Sequence, residues 1–319
     1  MKETLARVFV IILILGGSIA IGIAWRYGRS DVVTLHARMP EDGGWIPADL
    51  TIEAGQPLHL RLTSDDVVHS FAVGQSDFPV VDVMPGEITD ITLEFDEPGT
   101  YTFYCTRWCG ASHWRMRGTI TVTGDGIEEP VVQPLYVQLG LDIDAMHETQ
   151  FIPGKKPSAQ RGANLALNLS AYQSQDYYRS HSPEQVWKDL RDNPALKSYS
   201  DQQLWDAVAF IWDSNTTPEA LIEAEQLYAQ NCAACHGESG GGDGVFSGEQ
   251  VQVENEAVNP TDFTDSKLML SASPALLQGK LIRGGMGTGM PMWGVIFTED
   301  QTWALVSYLY TFQFKEVPK

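Results

Sequence analysis

The sequence predicts a multidomain chain in which an N-terminal transmembrane helix is followed by an all-β sandwich and then by an all-α domain. Three observations predict it. Residues 8 to 25 carry no charge, short apolar-polar alternations separated by turn residues fill residues 31 to 123, and helix-period patterns take over from about Ser182. A chain of 319 residues has room for two or three domains, and 43% hydrophobic residues suffice for packed cores. Its 41 acidic and 21 basic residues leave a net charge of -20, which excludes a nucleic-acid partner, because neutralising phosphates takes clustered Lys and Arg. A partner with a basic face, or a salty environment, suits that balance.

Residues 1–29 read as a membrane anchor. Lys2 and Arg7 precede the uncharged run from Val8 to Trp25, and Arg26 and Arg29 follow it. At helical rise the run spans about 27 Å, enough for a bilayer core and longer than a usual signal-peptide apolar region. A cleaved secretory signal is the competing reading, since Gly22 and Ala24 are small enough for a peptidase. Two basic residues on each side leave the orientation undecided by charge.

Residues 30–125 form the β domain. Strands are expected over Val32 to His36, Pro57 to Leu62, Val67 to Val73, Ile88 to Phe95, Thr100 to Cys105 and Arg117 to Val122. Ile91, Leu93 and Phe95 alternate with polar neighbours, and Pro98-Gly99 breaks the chain before the next strand. Residues 126–216 read as a connector with helices, irregular around Pro130, Pro134, Pro153 and Pro157. Residues 217–319 form the helical domain. Thr216 or Thr217 caps its first helix, Pro218 lies in the first turn, and Leu221, Ala224 and Tyr228 share a face. A closing helix runs from about Glu299 to Phe312, with Trp303, Val306 and Leu309 on its apolar side.

The four cysteines form two close pairs, Cys105 with Cys109 and Cys232 with Cys235, and each pair is followed by a histidine, His113 and His236. Such pairs suit metal or cofactor attachment better than a disulfide framework. In the β domain, Cys105, Cys109, His113 and Met116 follow one another closely, and His69 lies on an earlier strand. A mononuclear blue-copper site needs one thiolate, histidines and a weak axial Met. Two soft thiolates at the ends of one loop can instead bridge two copper ions, with His69 and His113 capping one each and Met116 as a weak ligand. A backbone carbonyl in the loop then serves the other ion. A Cys/His zinc site or a buried cysteine pair is the bland alternative, but a structural zinc site has no use for the Met.

At these residues the chain resembles the binuclear copper (CuA) domain of subunit II of haem-copper oxidases. The family pattern Cys-x3-Cys-x3-His-x2-Met, with an upstream His in a His-Ser-Phe strand, is met by His69, Cys105, Cys109, His113 and Met116. The stretch Asp82-Val83-Met84-Pro85-Gly86 is also similar. The resemblance implies a cupredoxin Greek-key sandwich. It also implies a copper ligand at the carbonyl of Arg107, where many members have a Glu whose carboxylate helps hold magnesium against subunit I. Arg107 puts that magnesium site in doubt. One span instead of two resembles the shorter B-type subunit II.

The second pair, Cys232-Ala233-Ala234-Cys235-His236, is a C-x-x-C-H haem attachment signature, with His236 as proximal ligand. A Gly-rich loop from Gly240 to Gly244 follows it, and Gly289-Met290-Pro291-Met292-Trp293 precedes the closing helix. This order resembles a class I cytochrome c across residues 217 to 314, which implies one covalently bound haem c with Met290 as the distal ligand. Met286 and Met292 are its rivals. His/Met ligation fills both axial positions, so such a haem carries electrons and does not bind oxygen. Its attachment outside the bacterial cytoplasm places both soluble domains on the outer face of the plasma membrane.

The remaining histidines, His36, His59, His147 and His181, lack ligand spacing. Aligning Trp205 with Trp303 pairs two similar amphipathic helices, which fits either a cytochrome c fold without haem in residues 126–216 or two unrelated helices with similar caps. The β domain has 15 acidic and 5 basic residues, and three of those basics, Arg107, Arg115 and Arg117, sit in or beside the copper motif. They predict a basic rim that receives the acidic helical domain electrostatically, or else pair locally.

Together these features imply the electron-transfer subunit II of a caa3-like cytochrome c oxidase. An external donor, such as a small cytochrome c, a cupredoxin or a quinol-oxidising complex, would feed haem c, then CuA, then subunit I. The chain has no oxygen-reducing site and no catalytic residue of its own. The equivalent subunit of a nitric oxide reductase, and an anchored shuttle for nitrous oxide reductase, are the alternatives.

Overall fold

The computed structural model describes residues 32–107, 109–110, 113–125, 133–247, 252–253, 256–257, 259–285 and 289–315. The anchor expected over residues 1–29 lies outside them. Among the described residues no helix is long and apolar enough to cross a membrane.

The N-terminal part is a two-sheet β-sandwich. Its strands are β1 (Val32–Ala37), β2 (Trp45–Ile46), β3 (Asp49–Glu53), β4 (Leu58–Ser64), β5 (His69–Val73), β6 (Val81–Val83), β7 (Thr89–Leu93), β8 (Gly99–Tyr104) and β9 (Arg117–Thr123). One sheet has the order β2-β1-β4-β7 and the other β3-β9-β8-β5-β6. Alternation decides which face is buried. In β4, Leu58, Leu60 and Leu62 point inward while His59 and Arg61 face solvent, and Gly118, Ile120 and Val122 do the same in β9. Trp45 meets Phe71 and Phe103 edge-on at 5.7 and 5.8 Å, an arrangement worth about 1 kcal/mol per pair beyond the area buried. β5 departs from alternation, with all five residues buried. One face of β5 meets the sandwich core, and its end meets the helical part.

The helices are α1 (Leu135–Gln138), α2 (Ala159–Ala163), α3 (Gln175–Ser180), α4 (Pro183–Asp192), α5 (Asp201–Asp213), α6 (Pro218–Asn231), α7 (Ala233–His236), α8 (Ser266–Met269), α9 (Pro274–Arg283) and α10 (Glu299–Phe314). Helical structure therefore begins well before Ser182. Capping boxes start α4 at Ser182 with Gln185, α5 at Ser200 with Gln203 and α10 at Thr298 with Gln301, each cap worth about 1 kcal/mol.

The helices on either side of residue 216 share one hydrophobic core that extends from Ile143 to Phe314. Trp212 packs edge-on against Tyr310, and Tyr178 Oη lies 3.2 Å from Ser307 Oγ. Buried Asp206 on α5 ties α2 down by accepting from the Ser158 amide and from Arg161 Nε, both at 2.9 Å. The described residues of this segment pack as part of the helical body.

Candidate copper and haem centres

The strand ends build the first centre. β5 delivers His69, β8 runs directly into Cys105, and the loop returns through Cys109 and a 3₁₀ turn at His113–Arg115 to Met116, which precedes β9. His69, Cys105, Cys109, His113 and Met116 are all buried. The ligand atoms of His69, Cys105 and Cys109 lie within 4.8 Å of one another, an arrangement able to hold a metal ion.

Each sulfur has its own neighbours. Cys105 Sγ is 3.9 Å from His69 Nδ1 and 3.2 Å from the Arg107 carbonyl oxygen. Cys109 Sγ is 3.2 Å from His113 Nδ1 and 3.6 Å from Met116 Sδ. The structure thus brings together all six groups expected from the sequence at this centre. If both thiolates are shared, these donors give each of two ions two sulfurs, one imidazole and one weak donor. A single copper or zinc ion would leave part of this buried set idle.

Outer contacts fix the ligands. Ser70 Oγ accepts from the Thr106 amide at 2.8 Å and the Arg107 amide at 3.1 Å, so one buried hydroxyl turns the start of the loop. The Ser70 amide points at Cys105 Sγ, 3.4 Å away. Asp66 Oδ1 lies 2.7 Å from His69 Nε2, which leaves Nδ1 facing the sulfur, and the same carboxylate accepts from the Met39 and Val67 amides at 2.6 Å. Asp66 is not among the residues expected from the sequence at this centre. Its one signal is a carboxylate three residues before His69.

The electrostatics favour loss of a thiol proton. Cys105 is pushed far down by the hydrogen bond from Cys109, helped by His113, His69 and the Ser70 amide, while the same interaction pushes Cys109 up. Burial pulls His69 down, but its bonds to Cys105 and Asp66 outweigh that and leave it above its ordinary value.

Of the expected basic rim, Arg107 is spoken for. Its guanidinium makes a two-pronged pair with Asp82, 2.6 Å on each arm, which holds Asp82 below the usual carboxylate range. Arg115 is exposed. Arg117 is turned into the contact with the helical part, and burial lowers it to about 10, so it remains cationic at neutral pH.

The second centre lies at the end of α6. Cys232 caps that helix, and α7 carries Cys235 and His236. His236 Nδ1 is 3.0 Å from the Thr261 carbonyl, and the ring stacks on Phe263 at 4.6 Å. That bond fixes the tautomer and leaves Nε2 as the free ligand atom. Burial lowers the His236 pKa, which favours the neutral imidazole that iron needs. Tyr228 Oη donates to the Gly237 carbonyl at 2.7 Å, tying the motif to α6.

Met290 is partly buried against the core that also receives Cys232, whereas Met292 is 55% exposed. Met286 lies outside the described residues. The Met290 loop closes when the Gly285 amide donates to the Met290 carbonyl at 3.1 Å. At Gly284 a Cβ would come within 2.7 Å of that oxygen, so only glycine permits the close approach. His36, His59, His147 and His181 each have a hydrogen-bond partner away from both centres.

Comparison with known proteins agrees with this layout. Residues 46–123 match the family described as cytochrome c oxidase subunit II, periplasmic domain, and residues 222–313 match cytochrome c. The chain joins a subunit II copper domain to a cytochrome c domain. The chain is 35% identical over 79 residues to a cytochrome c oxidase subunit 2 of Thermus thermophilus, covering 25% of this chain and 58% of that protein. It is 31% identical over 99 residues to an alternative cytochrome c oxidase subunit 2 of Bradyrhizobium diazoefficiens, covering 31% of each. A nitrous-oxide reductase of Ralstonia nicotianae is 30% identical over 101 residues, 30% of this chain and 15% of that protein. The chain thus spans little more than half the length of these relatives at most. The two domains imply copper and haem as cofactors, and they make the chain similar to an electron-transfer component of an oxidoreductase complex.

Proposed function

We propose that this chain is the electron-input subunit II of a caa3-like cytochrome c oxidase. It takes electrons from an external donor at a covalent haem c and passes them through binuclear CuA to a haem-copper subunit I. In this reading residues 1–29 form a single-span anchor in the plasma membrane, with both soluble domains on the outer face. His69, Cys105, Cys109, His113, Met116 and the Arg107 carbonyl hold the copper pair. Cys232 and Cys235 bind the haem vinyl groups, with His236 and Met290 as axial ligands.

The donor set around the two sulfurs carries this reading. When bound, the copper pair and the haem each supply a one-electron couple. The protein's part is to hold these couples rigid and dry. Ser70 fixes the loop, Asp66 and Thr261 fix the imidazoles, and the buried donors leave no open position for a substrate.

A nitric oxide reductase subunit is the runner-up. A shuttle for nitrous oxide reductase draws support from the Ralstonia relative, which matches 30% of this chain. Oxygen and nitric oxide consumption by the purified native complex separates these readings: oxygen uptake supports the oxidase, and nitric oxide uptake without it refutes the oxidase. For residues 126–216 we propose a cytochrome c-like fold without haem. Its support is the order of caps, in which Ser174, Ser182 and Ser200 start α3, α4 and α5 as Asp265, Ser273 and Thr298 start α8, α9 and α10. One haem per chain is the expected content.

A further inference from the structure

The copper domain and the haem domain touch at the loop that carries Met290. At the end of β5, the Gln75 amide donates to the Ile296 carbonyl at 2.9 Å, and Gln75 Nε2 reaches the Gly294 carbonyl. Beside them the backbones approach so closely that a Cβ on Gly74 would lie 2.7 Å from the Val295 carbonyl oxygen and 2.8 Å from Ile296 Cα. Tyr104, the residue before Cys105, packs against the helical core. Its cross-strand partner is Arg117, the residue after Met116. Arg117 Nη1 donates to the Met292 carbonyl at 3.0 Å, and its guanidinium lies 5.4 Å from the Trp293 ring centroid.

We propose that Arg117 is the positioning residue that seats the methionine loop of the haem domain on the copper domain and so sets the route between the two metal sites. The route is short in bonds. It runs from Met116 to Arg117 through the chain, across one hydrogen bond to Met292, and back through Pro291 to Met290. The inference rests on the reading that Met116 serves copper and Met290 serves haem iron.

The chemistry of the contact explains why an arginine stands there. A guanidinium is planar, weakly hydrated and always charged, so it can lie against an aromatic face and donate to a carbonyl at once while partly buried. A lysine ammonium can make the carbonyl bond but cannot lie flat on Trp293. Arg117 Nη2 is buried with no hydrogen-bond partner among the described residues, so the cation is incompletely compensated. The residue thus contributes orientation more than strength, and the tight backbone fit at Gly74 supplies the adhesion. Packing, and not a field between an acidic domain and a basic rim, holds the two centres in place.

The test uses the full chain loaded with copper and haem. Arg117→Ala is expected to slow haem-to-copper electron equilibration after flash reduction by about ten-fold or more, because small losses of geometry cost large factors in rate. Trp293 fluorescence should shift, while the copper-thiolate and haem absorption bands stay unchanged. Arg117→Lys should recover part of the rate. Gly74→Val, at a position that supplies no ligand, should expose the Gln75 amide to fast deuterium exchange and make the transfer rate depend on salt. Unchanged transfer rates in Arg117→Ala and Gly74→Val with both spectra intact would overturn the seating role. A wild-type chain that binds no copper or no haem would overturn the underlying reading instead, and a copper band lost with Arg117→Ala would mean that the residue serves the ligand loop and not the contact.

Discussion

Asp66 offers the most informative single substitution at the copper centre. Its carboxylate accepts from the His69 ring and the Met39 and Val67 amides, each within 2.7 Å, and from the Ser64 hydroxyl at 3.4 Å. Replacing it by alanine removes the anion that holds His69 in the tautomer and orientation a metal needs. Loss of such an outer carboxylate weakens metal binding by about 10- to 100-fold, or about 1.4–2.8 kcal/mol. The metal-free fold loses partners for two amides as well, at about 1 kcal/mol each, which predicts about 2 kcal/mol of destabilisation. Asp66→Asn should lose less stability than alanine, because its oxygen can stand in for Oδ1 toward the Val67 amide and His69 while its N–H faces the Met39 amide. It should lie at the low end of the affinity loss, since one carbonyl oxygen can still face His69. Chelator competition followed at the copper-thiolate band measures the affinity, and urea unfolding of the metal-free protein measures the stability. Copper affinity unchanged in both variants, alongside the expected stability loss, would reduce Asp66 to a loop clip and refute the reasoning.

Three further outcomes are expected. Met290→Ala should remove the weak near-infrared sulfur-to-iron band of the ferric haem and lower its potential, whereas Met292→Ala should leave both in place because that side chain is 55% exposed; the reverse result would exchange the two residues. Arg161→Ala should destabilise the helical body by about 2 kcal/mol in urea unfolding, because Asp206 keeps only its amide and Gln202 partners; this is below the full cost of breaking a buried pair because Arg161 is 40% exposed, and a loss under about 0.5 kcal/mol would contradict it. Burial and the nearby Lys280 lower the pKa of His147, so the fold favours its neutral form. Its contribution is present above the unfolded value of about 6.5 and is lost as pH falls through the lower folded value, so His147→Gln should flatten the acid-side fall in unfolding midpoint; an identical pH profile would refute this.

How much was legible depends on whether a residue acts locally. The alternation of Leu58, Leu60 and Leu62 announces β4, but β3 shows little of itself, because Asp49, Thr51 and Glu53 face outward and its pairing with β9 is parallel and distant in sequence. The helices α1, α2 and α3 have four to six residues, too few for a period to show between prolines. The metal ligands are legible because their spacing is chemistry within one loop. Ser70 and Asp66 act by turning hydrogen bonds toward that loop: nothing in the local sequence of Ser70 reports a partner 36 residues away, and the only local sign of Asp66 is its place three residues before His69. Arg107 and Arg117 look alike as charges. Only the fold separates an exposed pair with Asp82 from a cation sealed against Trp293.

In the proposed function the two buried cysteines share two copper ions in a chain that also carries one haem c. Metal analysis combined with electron paramagnetic resonance of the oxidised, loaded chain tests it most directly. Two copper ions and one iron per chain are expected, with a hyperfine pattern from one unpaired electron spread equally over both coppers, abolished by Cys105→Ser and by Cys109→Ser while the haem spectrum persists. A single copper with a mononuclear pattern, or a pattern that survives either substitution, would contradict it.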